Sequence, residues 1–336
     1  MRGAATIAAL VAAGCGSTTF VGDLPPAAEP ASSPPLEAQP AGRVVSVGNA
    51  PEGVAADPDT GLVAVGLREP DELALVDGRT GRTVRRVPLP AAPRHLQLAA
   101  VGGPVLVPAE RADALVRVAL PGGKVASVRV GAFPHDAAAA AGGGIFVSDE
   151  RGNTMSVIED DGRTRSIPVA TQPGGVAAVA GGARVAVVSV RERLLELYDA
   201  TSSGRLARVP AGVGPTHAVG GGEGRVYVVD TTGDALLVFE TRPELKLTRR
   251  VALPGAPYGL AVDPVRGRLW TTLTRTNQVV ELAAGRRPRV LRSFPTVRQP
   301  NTVAVDPRSG RVYVAGKTDG VLQLLDPPAL PGRRSR

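Results

Sequence analysis

From residue 43 to residue 326 the apolar residues come in short runs, separated by polar stretches rich in Gly, Pro and Asp. The runs recur in sets. A Pro heads each set, at Pro51, Pro93, Pro134, Pro173, Pro215, Pro257 and Pro300, so the repeat is 39 to 43 residues long. After each Pro comes a small-residue run: GVAAD, HLQLA, DAAAA, GVAAV, HAVGG, GLAVD and TVAVD. A Gly-bearing turn follows, then a second run: LVAVG, VLVPA, IFVSD, RVAVV, RVYVV, RLWTT and RVYVA. A third run such as DELALVD or DALLVFE, and a fourth such as TVRRVPL or LTRRVAL, lead to the next Pro. Runs this short, rich in Val and bounded by Gly or Pro, predict strands rather than helices.

Four short strands per unit of about 40 residues predict an all-β, seven-bladed β-propeller of four-stranded blades. One such sheet has two apolar faces and cannot bury either alone, whereas radial packing against two neighbours buries both. The run Val44-Val45-Ser46-Val47 precedes the first anchor and matches the fourth strand of the repeat, while the last repeat has only three. The N-terminal strand is therefore expected to complete the last blade, leaving no free sheet edge. The Asp-Pro turns at Asp57, Asp263 and Asp306 are expected to shape loops on one face and to take no catalytic part.

The GxVYV-type runs, the segment Asn153-Thr154-Met155-Ser156-Val157-Ile158 and the ending Asp77-Gly78-Arg79-Thr80-Gly81 resemble YVTN repeats. That resemblance spans the repeats from residue 43 to about 326. It implies a seven-bladed propeller of the kind common in secreted and surface bacterial proteins. The family includes binding modules, lactonases and electron-transfer subunits, so it does not settle an activity.

The stretch ahead of the repeats reads differently. The sequence MRGAATIAALVAAGC has one charge, an apolar stretch too short to span a bilayer, and small residues before Cys15. It resembles the bacterial lipoprotein signal, in which the Cys is lipidated and becomes the new N-terminus, and Cys15 is the only Cys in the chain. Residues 1–15 are thus read as the signal and residues 16–42, rich in Pro and Ala, as a disordered tether. A semi-extended tether of that length reaches up to roughly 80 Å. Residues 43–326 form the propeller and 327–336 a Pro/Arg-rich tail. The expected address is export, with the lipid on the outer face of the bacterial cell membrane or facing the periplasm.

Composition narrows the chemistry. A single Cys excludes a disulfide framework and any cysteine-built metal or cluster site. The formal charge of +8 attracts polyanions in principle, but only three of the 39 basic residues are Lys and aromatics are 3%, so nucleic-acid binding is not expected. Three His and two Met are too few for a haem or copper redox subunit.

In propellers the connections into the first strand of each blade surround the channel mouth. The residues after each anchor Pro therefore give the candidate ligand-binding rim: Glu52, Arg94, His95, His135, Asp136, His217, Tyr258 and Asn301. All three His of the chain are among them. Side chains of these types also hydrogen-bond backbone well, so a structural role competes with a ligand site. His95 and His217, from blades two and five, are expected to be too far apart to share an ion. His95, His135 and Asp136 form an incomplete ligand set, and no metal or cofactor is expected. The charges further out, including Arg68, Glu110, Glu150, Arg191 and Lys317, read as a solvated rim.

The leading functional reading is a binding or scaffold module, monomeric and held to the membrane only by its lipid, that engages a protein or envelope ligand through the mouth. The alternative is a lactonase- or lyase-like enzyme with its site in the same mouth. The Trp-Phe-Thr-Glu runs of streptogramin-lyase repeats are absent, Trp270 being the only Trp.

Overall fold

The computed structural model describes residues 24–328; residues 1–23, with the expected signal and Cys15, and residues 329–336 lie outside them. Twenty-eight strands, β1 to β28, form seven four-stranded antiparallel sheets. Blade 1 runs from β2 (Asn49–Ala56) to β5 (Thr83–Pro88), and blade 2 from β6 (Gln97–Leu98) to β9 (Val125–Arg129). Blade 3 runs from β10 (Pro134–Ala139) to β13 (Thr164–Pro168), and blade 4 from β14 (Pro173–Val179) to β17 (Arg205–Pro210). Blades 5 and 6 run from β18 (Pro215–Gly220) to β21 (Lys246–Ala252) and from β22 (Pro257–Asp263) to β25 (Arg289–Pro295).

Blade 7 holds β26 (Pro300–Val305), β27 (Val312–Gly316) and β28 (Val321–Leu325). Its outer strand is β1 (Arg43–Ser46), paired antiparallel to β28 with Arg43 opposite Leu324 and Ser46 opposite Val321. The two ends of the ring are thus joined in one sheet. No helix among the described residues is long and apolar enough to cross a membrane.

Burial follows the strand's place in its blade. The middle strands are covered on both faces, so β20 (Ala235–Glu240) is buried throughout. The fourth strands stand at the rim and read as polar, as in β21 with its Thr-Arg-Arg run. Apolar side chains gather in seven clusters, one for each pair of adjoining blades. The cluster between blades 7 and 1 joins Val54, Val65 and Leu67 to Tyr313, Leu322 and Leu324. Ring closure is therefore packed as well as hydrogen-bonded. The Asp-Pro turns behave as the sequence suggests: Asp57 accepts from the amide and hydroxyl of Thr60, and Asp306 from the hydroxyl of Ser309.

Candidate functional site

The recurring Pro marks a recurring irregularity. In six blades the ladder between the first and second strands slips just after the Pro, as between Pro51 and Val54 or Pro215 and Ala218. A bulge of this kind releases one or two residues from the pairing and re-aims their side chains. In blade 2 the first strand is reduced to Gln97–Leu98 plus a bridge from Pro93 to Ala109, which leaves Arg94 and His95 outside the ladder. The residue before the Pro is left-handed at Ala50, Phe133, Gln172, Ala256 and Gln299, with φ between 47° and 61°.

The result corrects one expectation. His95 and His217 meet at the centre, with their Nε2 atoms 2.9 Å apart and ring centroids 4.3 Å apart. Blades two and five do face each other across the ring. The unpaired Arg94–His95 stretch of blade 2 and the bulge of blade 5 reach in from the two sides, however, and an imidazole on each spans what remains. Gly175, at the same repeat position in blade 4, keeps that space open: a Cβ there would lie 2.9 Å from the amide nitrogen of Ala218 and 3.1 Å from Cα of His217. The His135 ring lies 4.8 Å from that of His95, so all three imidazoles of the chain form one cluster.

Hydrogen-bond partners assign the tautomers. His217 Nδ1 lies 2.8 Å from the Tyr258 carbonyl, which can only accept, so Nδ1 carries the proton and Nε2 a lone pair. His95 must then donate its Nε2–H to that lone pair. Burial, and the other imidazoles, push His95 well below the ordinary value and His217 down to about 3. The pair is neutral at physiological pH. His135 Nδ1 faces the Glu150 carboxylate at 2.9 Å, and Gln172 Nε2 donates to the same group at 2.8 Å.

Asp136 does not join the imidazoles as a ligand. Its two oxygens accept from Gln97 Nε2, the Ala137 amide and the Val176 amide, tying blades 2, 3 and 4 together. Burial raises its pKa to about 6 despite those donors. The set His95, His135 and Asp136 is thus replaced by the three imidazoles. Below them runs the channel, a cavity of about 400 Å³ lined largely by small apolar residues such as Ala55, Ala177 and Ala261.

A second cluster adjoins the first. Glu52 is 3% exposed, forms an ion pair with Lys317 Nζ at 2.6 Å and accepts from Asn301 Nδ2 at 3.1 Å. Arg68 pairs with Glu110 at 2.7 Å, and Arg94 lies 3.6 Å from the same carboxylate, which is 1% exposed. Burial alone would raise the Glu52 pKa, but Lys317, Arg94 and Arg68 together hold it below the ordinary value. Arg68, Glu110, Glu150 and Lys317 are therefore not a solvated rim; they are part of the mouth. Their spacing carries a signal: Arg68, Glu110, Thr274 and Lys317 each stand seventeen residues after their blade's anchor Pro.

Residues 24–42 carry no helix or strand and lie along the propeller. Ala27 packs on the core of blades 4 and 5, and Glu29 reaches Arg94 of blade 2 at 3.6 Å. Gln299 Nε2 donates to the Ala31 carbonyl at 3.0 Å, while its Oε1 accepts from the Ser33 amide at 3.1 Å. Ser33 Oγ donates to the Thr274 carbonyl at 2.6 Å, and Asn277 Nδ2 to the Pro34 carbonyl at 2.9 Å. Touching blades 5, 2, 7 and 6 in turn, the segment crosses the mouth. It then descends to β1, with the Ala41 amide on the Pro295 carbonyl.

No protein-family model matches the chain, and no curated protein matches it. Solved structures do. A chain of the Kuenenia stuttgartiensis hydrazine synthase aligns with TM-score 0.73 at 17% identity, over 84% of this chain and 97% of that one. A catalytically inactive histidine-to-alanine variant of virginiamycin B lyase from Staphylococcus aureus, with quinupristin, aligns at 0.69 and 16%, over 84% and 99%. A chain of the mitotic checkpoint complex aligns at 0.72 and 11%, over 95% and 98%. The likeness is one of fold. At these identities it assigns no activity.

Proposed function

We propose that this chain is a surface binding module, of the YVTN-repeat kind, whose channel-mouth face takes an extended, Pro-containing polypeptide. The observation that carries this reading is the way the mouth holds residues 24–36. Gln299 contacts the segment's backbone with both ends of its amide, at Ala31 and Ser33, and Asn277 donates to the Pro34 carbonyl. Arg94 meets its acidic side chain at Glu29. Side-chain amides that pair with peptide groups accept many sequences, and a Pro-rich strand loses little entropy on binding. The protein's own N-terminal segment is the intramolecular occupant of a face suited to a partner's.

The test uses a propeller lacking residues 1–36 and a synthetic peptide of residues 24–38. The peptide is expected to bind in trans, and Gln299→Ala with Asn277→Ala to weaken it about tenfold or more. A peptide that fails to bind the shortened propeller overturns the reading. We further propose that the chain is exported and anchored through a lipid on Cys15.

A lyase-like activity is the second reading, favoured by one observation: a neutral, buried imidazole pair at the mouth of the same fold in which a histidine substitution inactivates virginiamycin B lyase. Its test is turnover of quinupristin by the shortened propeller, with loss in His217→Ala.

A further inference from the structure

We propose that His95, His135 and His217 form a binding site for a late first-row divalent transition-metal ion, with its remaining coordination position open toward the mouth. Two imidazole nitrogens bound to one ion at about 2.0–2.1 Å lie roughly 2.9–3.4 Å apart for angles between right-angled and tetrahedral. His95 and His217 already present their Nε2 atoms at 2.9 Å. What holds them together is a single shared proton. An ion takes its place once His95 moves that proton to its own Nδ1, so that both rings offer Nε2 lone pairs and no proton need leave the protein.

The outer contacts point the same way. A metal-binding imidazole characteristically gives its second nitrogen's proton to a carbonyl or carboxylate, which fixes the tautomer and aims the lone pair. His217 does so with the Tyr258 carbonyl, and His135 faces the Glu150 carboxylate through Nδ1. Those bonds leave Nε2 as the lone-pair nitrogen of each ring, the one on His217 being taken by the His95 proton. Glu150 is held in turn by Gln172, so it is positioned rather than available as a ligand itself. The charged surroundings are close to balanced: Arg68, Arg94 and Lys317 face Glu29, Glu52, Glu110 and Glu150.

Among the described residues, no three His, Cys, Asp or Glu side chains stand already arranged as a metal cage. Uptake therefore requires the His95–His217 contact to open by a few tenths of an ångström and His135 to turn toward it. The donors select the ion. Three imidazoles with no thiolate suit copper, nickel and zinc and discriminate against calcium and magnesium, and copper(II) should bind tightest.

The experiment uses the untagged, chelator-stripped chain and the metal salts alone. Calorimetric titration with copper(II) and zinc(II) should give one ion per chain with micromolar or tighter affinity. The copper(II) electron paramagnetic resonance spectrum should show coupling to imidazole nitrogen. The chain's only three His are in this cluster, so that signal has no other imidazole source. His95→Ala, His135→Ala and His217→Ala should each weaken binding by about a hundredfold or more. Glu150→Gln, which touches no ion, should weaken it about 10- to 100-fold. Should an alanine variant fail to fold, the unaltered protein's spectrum and Glu150→Gln still decide. Absence of a stoichiometric ion, a copper spectrum without imidazole coupling, or affinity unchanged in the folded variants would overturn the proposal. Binding of the residue 24–38 peptide is measured in chelator with the metal absent, so its outcome is independent of this one.

Discussion

Replacing Glu150 by Gln isolates the energy stored in one half-buried carboxylate. Glu150 accepts from His135 Nδ1 and from Gln172 Nε2, at 2.9 and 2.8 Å. Burial acts to raise its pKa, but the bond and charge of His135, the Gln172 amide and Arg94 outweigh it and hold the group at about 2, against 4.5 ordinarily. The folded value lies below the unfolded one. The stabilisation is therefore complete above the unfolded pKa, and it is lost as pH falls from about 4.5 through about 2. At 1.36 kcal/mol per tenfold change in proton affinity, that gap is worth at most about 3 kcal/mol at neutral pH. The Gln amide keeps an oxygen for His135 but no charge, so Glu150→Gln should cost about 1–3 kcal/mol near pH 7.

The assay is urea unfolding in chelator, followed by the fluorescence of Trp270. This single Trp is 1% exposed and stacked on Phe294, so it reports opening of blades 6 and 7. The gap between the two proteins should be widest near pH 7 and should narrow steadily below pH 4.5. A gap that stays constant down to about pH 2.5, or no gap at neutral pH, would refute the assigned electrostatics.

Two further outcomes follow from the ring and its leader. A chain beginning at Gly48 lacks β1, exposes the edge of β28 and removes Val47, which is buried between blades 7 and 1; it should melt well below a chain beginning at Gly42 or aggregate, and equal melting temperatures would disprove the closure. Cys15→Ser should shift the expressed protein from the membrane to the soluble fraction, and unchanged membrane association, or an intact mass without acyl chains, would sink the lipid anchor.

The architecture was legible because a strand buried on both faces must be apolar and one at the rim need not be. That contrast, between runs such as RVYVV and LTRRVAL, repeats with each blade and is written directly in residue types. The outer strand of blade 7 could be read for the same reason, since VVSV stands where a fourth strand belongs. The mouth residues could be located but not arranged. Whether His95 reaches His217 depends on how far the shortened first strand of blade 2 and the bulge of blade 5 let their chains lean inward and on the room left by Gly175, neither of which has a sequence period. Glu110 reads as solvated from sequence because burial of a charge depends on a partner from another blade, here Arg68 of blade 1. Residues 24–36 give no periodic signal at all. Their placement is set by single side chains, Gln299, Asn277 and Thr274, that lie more than 240 residues away in the chain.

The crossing segment also fixes how the protein would stand on a surface. A free tether of the length expected from sequence lets a domain tumble at any angle, far from its anchor. Here the leash is gathered in. Only eight residues separate Cys15 from residue 24, where the docked segment starts, and even fully extended they bridge no more than about 30 Å. A lipid on Cys15 would then hold the ring mouth-downward, with the imidazole cluster looking into a narrow gap above the bilayer and the Asp-Pro turns facing outward. Whatever reached the mouth of a protein so anchored would have to enter that gap sideways. Lifting residues 24–36 off the face would lengthen the leash, free the ring to tilt and uncover the mouth in one movement.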